Sequence, residues 1–179
     1  MISLFDLFKI GVGPSSSHTV GPMLAALRFV ESLNETLASQ KIPVDRVARI
    51  LVELFGSLAL TGLGHRTDRA VVAGLAGYHP ASVDPAQIDP LFQSVETSCE
   101  LKWLGRFPLD FQLKRDLRFH YSIFLPQHPN GLRCCAFDEQ GGLLLSREYF
   151  SVGGGFVVDA EELAAQQSNR GQRHGLLKN

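Results

Sequence analysis

"LRFHYSIFLPQHPNGLRCCAFDEQGGLLLSREYF", residues 117–150, decides the fold class. Its first nine residues carry apolar side chains at odd positions: Leu117, Phe119, Tyr121, Ile123 and Leu125. That two-residue period is the signature of a half-buried strand. The Gln-His-Pro-Asn-Gly stretch that follows reads as a turn. "LRCCAF" and "LLLSREYF" are then two strand-like runs joined by "DEQGG", a glycine-containing hairpin loop. Strands linked this closely predict antiparallel pairing.

Working outward, "VARILVELF" (47–55) is short, apolar and bounded by turn signals, which suits a largely buried strand. From Val20 to Leu33, apolar residues at Val20, Met23, Leu24, Leu27 and Val30 lie on one helix face, and Pro22 fits the first turn. Thr67 or Asp68 is placed to cap a helix through "RAVVAGLAG" that stops near Gly77. Residues 79–115 are irregular apart from "DPLFQSVETSCELKWLG", which reads as a helix with Asp89 as cap and Pro90 at its first position. After "SVGGGFVV", with its three successive glycines, "DAEELAAQQ" begins like a capped helix. The last stretch, "SNRGQRHGLLKN", is polar without helical period and reads as a linker or frayed end. The order of elements predicts an α+β domain over residues 1–160, a four-stranded mixed sheet with helices on one face, then a short helix and polar tail over 161–179.

The chain has 179 residues, 45% hydrophobic and 20% charged, as expected of one globular domain with a real core. Its net charge of -1 gives no pull toward nucleic acid or an anionic membrane. Its apolar runs are far shorter than a membrane span, and "MISLFDLFKIGVG" carries an acid and lacks a cationic leader pattern, so a cytoplasmic location is expected. The three cysteines are Cys99, Cys134 and Cys135. In a strand the adjacent pair points to opposite faces and cannot jointly grip one metal, so no metal ligands are expected in this chain.

Three short loops share a chemistry: Gly13-Pro14-Ser15-Ser16-Ser17-His18-Thr19, Gly64-His65-Arg66-Thr67-Asp68, and His128-Pro129-Asn130-Gly131. Each sets a histidine among glycine and hydroxyl or amide groups, and the first two open a helix. Unpaired N–H groups at a helix start attract carboxylate or phosphate, hydroxyls add donors without bulk, and imidazole accepts a proton near neutral pH. A Ser/Thr cluster before a helix is, taken alone, ordinary capping. The joint occurrence of the loops, together with Gly153-Gly154-Gly155, argues for a ligand site. His79, His120 and His174 read as solvated. The Gly-x-Ser-x-Gly spacing of a hydrolase nucleophile and the Gly-Lys-Ser/Thr of a phosphate loop are both missing.

"MISLFDLFKIGVGPSSSHTVGPM", "FGSLALTGLGHRTD", "HPNG" and "YFSVGGGF" occur in an order that closely resembles the N-terminal beta portion of bacterial iron–sulfur L-serine dehydratase, also called L-serine ammonia-lyase. The resemblance runs from Met1 to about Asp159. It implies deamination of L-serine to pyruvate and ammonia, and a [4Fe–4S] cluster with one iron open to substrate. It also implies an α+β fold similar to the allosteric substrate-binding domain of D-3-phosphoglycerate dehydrogenase, packed on a cluster-bearing alpha domain or subunit. Matched position by position, Ser15, Ser16, Ser17, His18 and Thr19 are expected to line the pocket and meet the substrate carboxylate. Thr67, Asp68 and Asn130 are the further substrate-binding candidates. His65 and His128 are the two proton-transfer candidates, and the residues do not choose between them. The cysteines match no cluster ligands, so the chain by itself is expected to hold no cluster and to be inactive, either as a separate subunit or with an altered end. Two other readings stand beside this one: a non-catalytic module that binds serine or a similar amino acid as an effector, and a purely structural or interaction domain; a sheet with one open face also suggests self-association, as a homodimer, or partner docking.

Overall fold

The computed structural model describes residues 15–166 and 168. A π-helical turn, Ser16–Val20, runs straight into α1, Gly21–Gln40. Helix α1 buries Met23, Leu27 and Val30 of the expected stripe, adds Ala26, Leu33 and Leu37, leaves Leu24 half-buried, and ends on Lys41 in the left-handed region at φ 56°. Strand β1, Arg49–Phe55, is followed by the short α2, Gly56–Thr61, and by α3, Thr67–Leu75. Then come α4, Ile88–Ser98, strands β2, Glu100–Trp103, and β3, Phe107–Asp110, and the single turn α5, Leu113–Asp116. The chain completes its sheet with β4, Leu117–His120, β5, Gly131–Phe137, β6, Leu143–Gly153, and β7, Phe156–Asp159. Residues 160–166 are helical.

The main sheet is mixed, as expected, but has five strands rather than four, in the order β4-β1-β5-β6-β7. Only the β1–β4 pair is parallel; the others are antiparallel. The fifth strand arises because Gly153, Gly154 and Gly155, all at positive φ, make a turn that folds Phe156–Asp159 back along β6. Helices α1 and α3 cover the face that carries Ile50, Val52, Leu54, Leu132, Cys134 and Ala136. The opposite face carries Glu53, Arg133 and Glu148, linked by ion pairs. Cys134 is fully buried toward the helices and Cys135 faces the other way beside Ser146, which is the opposite-face arrangement expected of neighbours in a strand.

The structure differs from the sequence reading at four further points. The strand expected over 117–125 ends at His120, opposite Phe55 where β1 itself ends, and the backbone beyond is free to form a loop. The helix expected to reach Gly105 stops at Ser98, because Cys99 takes the left-handed conformation at φ 55° and residues 100–110 form a hairpin. Asp89 does not cap that helix; its carboxylate sits between Arg66 and Arg69. His120 is not solvated: its ring stacks on Phe55 with centroids 4.8 Å apart, and Nε2 lies 2.8 Å from Glu53. His79 is exposed as expected, whereas His174 and most of the polar tail lie outside the described residues.

Among the described residues, no helix is long and apolar enough to cross a membrane. Asp116, fully buried, anchors the β1–β4 edge: it accepts from Arg49 Nε at 2.8 Å, Arg115 Nη2 at 2.7 Å and the Gln112 N–H at 2.9 Å. Burial would raise this carboxyl, but Arg115, the Gln112 N–H and Arg49 outweigh it and hold it below its ordinary value.

Candidate active site

The site is built where the start of α1, the β1–α2 corner, the loop before α3 and the loop before β5 meet. Ser15, extended, caps the π turn: its hydroxyl accepts the His18 N–H at 3.2 Å and its carbonyl accepts from Thr19 at 3.0 Å. The His18 ring lies with Nδ1 2.8 Å from Ser17 Oγ and Nε2 2.9 Å from Ser57 Oγ. Ser57 is the second residue of α2, one residue past Gly56, which follows the strand directly.

His65 ends the turn after α2, and Arg66, left-handed at φ 60°, redirects the chain into α3. The rings of His18 and His65 stand 5.0 Å apart, tilted by 45°. Two threonines lace their loops together in opposite senses. Thr19 donates its hydroxyl to the His65 carbonyl at 2.8 Å, and Thr67 donates to the His18 carbonyl. Both threonines are fully buried, so their hydroxyls serve the histidine loops directly and any ligand only through them. Asp68 is also buried, with one oxygen on Arg69 at 3.0 Å and Oδ1 without a partner. Neither Thr67 nor Asp68 caps α3.

The third loop joins through its backbone. Asn130 donates Nδ2 to the Ser151 carbonyl at 3.3 Å, and the Ser57 N–H donates to the Pro129 carbonyl at 2.9 Å. His128 Nδ1 accepts the Asn130 N–H at 3.1 Å, so the neutral ring carries its proton on Nε2. Two glycines permit these approaches. A Cβ on Gly21 would stand 2.1 Å from Ser151 Oγ, and one on Gly56, at φ +56°, would stand 2.4 Å from the Pro129 carbonyl. Ser15, Ser16, Ser17, His18, His65, His128 and Asn130 are all half-buried, open enough to meet a small ligand.

Charge is disfavoured on two of the rings. Burial lowers the His18 pKa below 6.5, the neighbouring His65 lowers it further, and hydrogen bonding at Ser57 works the other way. Burial alone lowers that of His128. His65 keeps Nδ1 buried without a hydrogen-bond partner. The arrangement therefore offers hydroxyls and neutral imidazoles, groups suited to holding a carboxylate and moving a proton.

The elements that carry this polar centre also present exposed apolar side chains: Leu60 and Leu63 beyond Ser57, and Tyr121, Ile123 and Phe124 in the loop before β5, each at least half exposed. The cysteines do not fit an iron–sulfur cluster. Cys134 is buried, with its thiol pushed far up by desolvation, Cys135 lies on the other sheet face, and Cys99 is exposed at the end of α4. Among the described residues, no group of three or more His, Cys, Asp or Glu could hold a metal ion.

Ser57 is the one member of this constellation that the sequence reading does not single out. The available signal is a Gly-Ser step immediately after an apolar strand, inside the glycine-rich stretch already quoted.

A family model described as serine dehydratase beta chain matches residues 3–162. L-serine dehydratase of Streptomyces coelicolor is 45% identical over 167 residues, 93% of this chain and 35% of that protein. L-serine dehydratase 1 of Escherichia coli is 45% identical over 170 residues, 94% of this chain and 36% of that protein. L-serine dehydratase of Helicobacter pylori is 40% identical over 161 residues, 90% of this chain and 34% of that protein. The chain thus spans about a third of the length of these relatives.

Proposed function

We propose that this chain, which belongs to the serine dehydratase beta chain family, supplies the substrate-holding and proton-handling half of an L-serine ammonia-lyase. The other half would be a cluster-bearing alpha domain or subunit, and the chain by itself would be inactive. The observation that carries the reading is the His18–His65 pair, 5.0 Å apart and cross-laced by Thr19 and Thr67.

In this reading the serine turn receives the carboxylate of L-serine, with the Ser16 and Ser17 hydroxyls and the N–H groups at the start of the π turn facing the anion. His65 takes the α-proton. His18 has both ring nitrogens engaged and His128 has its acceptor nitrogen engaged by its own turn, which leaves His65 with the freest ring. His128 then serves as a donor through Nε2, and Asn130 fixes its loop on Ser151. No cysteine set here fits the [4Fe–4S] cluster, so the cluster and the chemistry it supplies belong to the partner. The exposed apolar side chains of Leu60, Leu63, Tyr121, Ile123 and Phe124 form the surface that partner would cover. As part of the same proposal, the fold is that of the allosteric substrate-binding domain of D-3-phosphoglycerate dehydrogenase, a reading supported by the mixed sheet with α1 and α3 on one face.

The test is reconstitution. The chain is mixed anaerobically with a cluster-bearing alpha partner and pyruvate is followed. Activity above that of the partner alone is expected, with His65→Ala abolishing the gain. Equal activity with and without the chain overturns the proposal.

A further inference from the structure

We propose that Ser57 is a positioning residue of this site, holding the His18 imidazole at Nε2 against Ser17 on Nδ1 so that the ring keeps one tautomer and one orientation toward His65. The inference rests on the reading of His18 and His65 as the proton-handling pair and adds to it a residue from a different element.

A neutral imidazole has one donor and one acceptor nitrogen, and a hydroxyl can take either role. With Ser17 Oγ at 2.8 Å and Ser57 Oγ at 2.9 Å, both nitrogens are matched by a hydroxyl on the opposite side of the ring. Two hydroxyls alone suit either tautomer, so the direction of the chain has to come from a third group, and Ser15 supplies it. Ser15 Oγ accepts the His18 N–H at 3.2 Å, which frees its own proton for Ser17 Oγ at 3.4 Å; Ser17 then donates to Nδ1, and Nε2–H donates to Ser57 Oγ.

Ser57 is itself tightly held. Its N–H donates to the Pro129 carbonyl at 2.9 Å, and its carbonyl accepts the Thr61 hydroxyl at 2.9 Å. The preceding Gly56 leaves no room between the corner and Pro129. The hydroxyl is therefore placed by the His128 loop and acts on the His18 ring, which links the third histidine loop to the first. Catalytic geometry is sensitive to such placement, since a shift of about 1 Å at a remote group can cost roughly 100-fold in rate.

The experiment is nitrogen NMR of the histidine rings in the full 179-residue chain, comparing the parent with Ser57→Ala and Ser57→Thr. In the parent, His18 is expected to give two widely split ring-nitrogen resonances, the mark of a single tautomer. In Ser57→Ala they converge while the backbone amide spectrum is retained, and Ser57→Thr restores the split. Converged His18 resonances in the parent, which need no variant at all, overturn the proposal. So does a split unchanged in Ser57→Ala. With the alpha partner present, Ser57→Ala is expected to lower kcat by roughly 10–100-fold with little change in KM for L-serine. A rise in KM alone would make Ser57 a substrate contact and overturn the positioning role. Absence of pyruvate with the parent pair would refute the functional reading, and the ring-nitrogen spectra would still decide the role of Ser57.

Discussion

Thr19→Val tests whether the two buried threonines are struts or ligand contacts. The substitution keeps the shape of the side chain and removes the hydroxyl that donates to the His65 carbonyl at 2.8 Å. Thr19 is fully buried, so no solvent replaces the lost donor. Removing one partner of a buried hydrogen bond costs about 1–3 kcal/mol, of which the unpaired acceptor is the larger share. Taking about 2 kcal/mol, and about 2–4 °C per kcal/mol for a domain of this size, the melting temperature falls by roughly 4–8 °C. Thr67→Val removes the reciprocal bond to the His18 carbonyl and should cost a similar amount. The two struts join the same pair of loops, so the double variant should cost less than the sum. Once one strut is lost, the loops part and the other is already weakened. Urea denaturation of the four chains measures this, read as a shift in midpoint at constant slope. Were these hydroxyls ligand contacts, stability would stay within about 0.5 kcal/mol of the parent and only KM for L-serine would rise. That result would refute the strut reasoning, as would strict additivity of the two substitutions.

Other positions give independent checks. Asp116→Ala leaves the Gln112 N–H without its acceptor and releases Arg49 and Arg115, which are about a third exposed and rehydrate, so a cost of about 1–3 kcal/mol is expected, measurable by the same denaturation. Gly21→Ala drives a Cβ to 2.1 Å from Ser151 Oγ, an overpacking that costs about 1–3 kcal/mol, and Ser151→Gly in the same chain should recover most of it by removing both clashing atoms. His18 and His128 titrate below 6.5 when folded, so between that folded value and about 6.5 the unfolded chain binds more protons. Stability should be full above about 6.5 and fall as the pH drops through that window. A His18→Gln variant should show a shallower fall, and an unchanged slope would contradict the lowered value.

The sheet was legible where the pattern was local. Helix α1 follows from its apolar stripe, and the β5–β6 hairpin from two apolar runs around a glycine-containing loop. The misses have a common cause, since each depends on a neighbour distant in sequence. Strand β4 stops at His120 because its partner β1 stops at Phe55, a limit set 65 residues earlier in the register. Strand β2 falls inside the helix expected over 89–105, and β3 inside the stretch expected to be irregular, because Cys99 is a left-handed residue other than glycine, which the usual turn signals do not mark. Yet Glu100, Leu101, Lys102 and Trp103 alternate exposed and buried, a two-residue period hidden in a run too short to stand out.

The same distinction runs through the site. Its three loops were recognisable from composition, because glycine, hydroxyls and histidine in one short stretch mark a place where backbone and polar side chains converge. What composition could not assign is the partner of each hydroxyl. Ser15 caps its own turn, within three residues, and that was open to sequence reasoning. Ser17 meets the adjacent ring, Thr19 crosses 46 residues to the His65 carbonyl, and Ser57 crosses 39 residues to the His18 ring. Four similar hydroxyls thus do four different things, and the sequence separation of the partner decides which. The histidines obey the same logic. His18 has both ring nitrogens engaged, by its own loop and by Ser57, and His128 has Nδ1 engaged by its own loop. His65 shares the same enclosure with a buried Nδ1 that nothing engages. A residue whose neighbours satisfy it is held still; a residue left unsatisfied in an otherwise satisfied cluster has capacity for chemistry. That difference supports the proposal that His65 is the proton acceptor, with the surrounding hydroxyls setting where its ring lies.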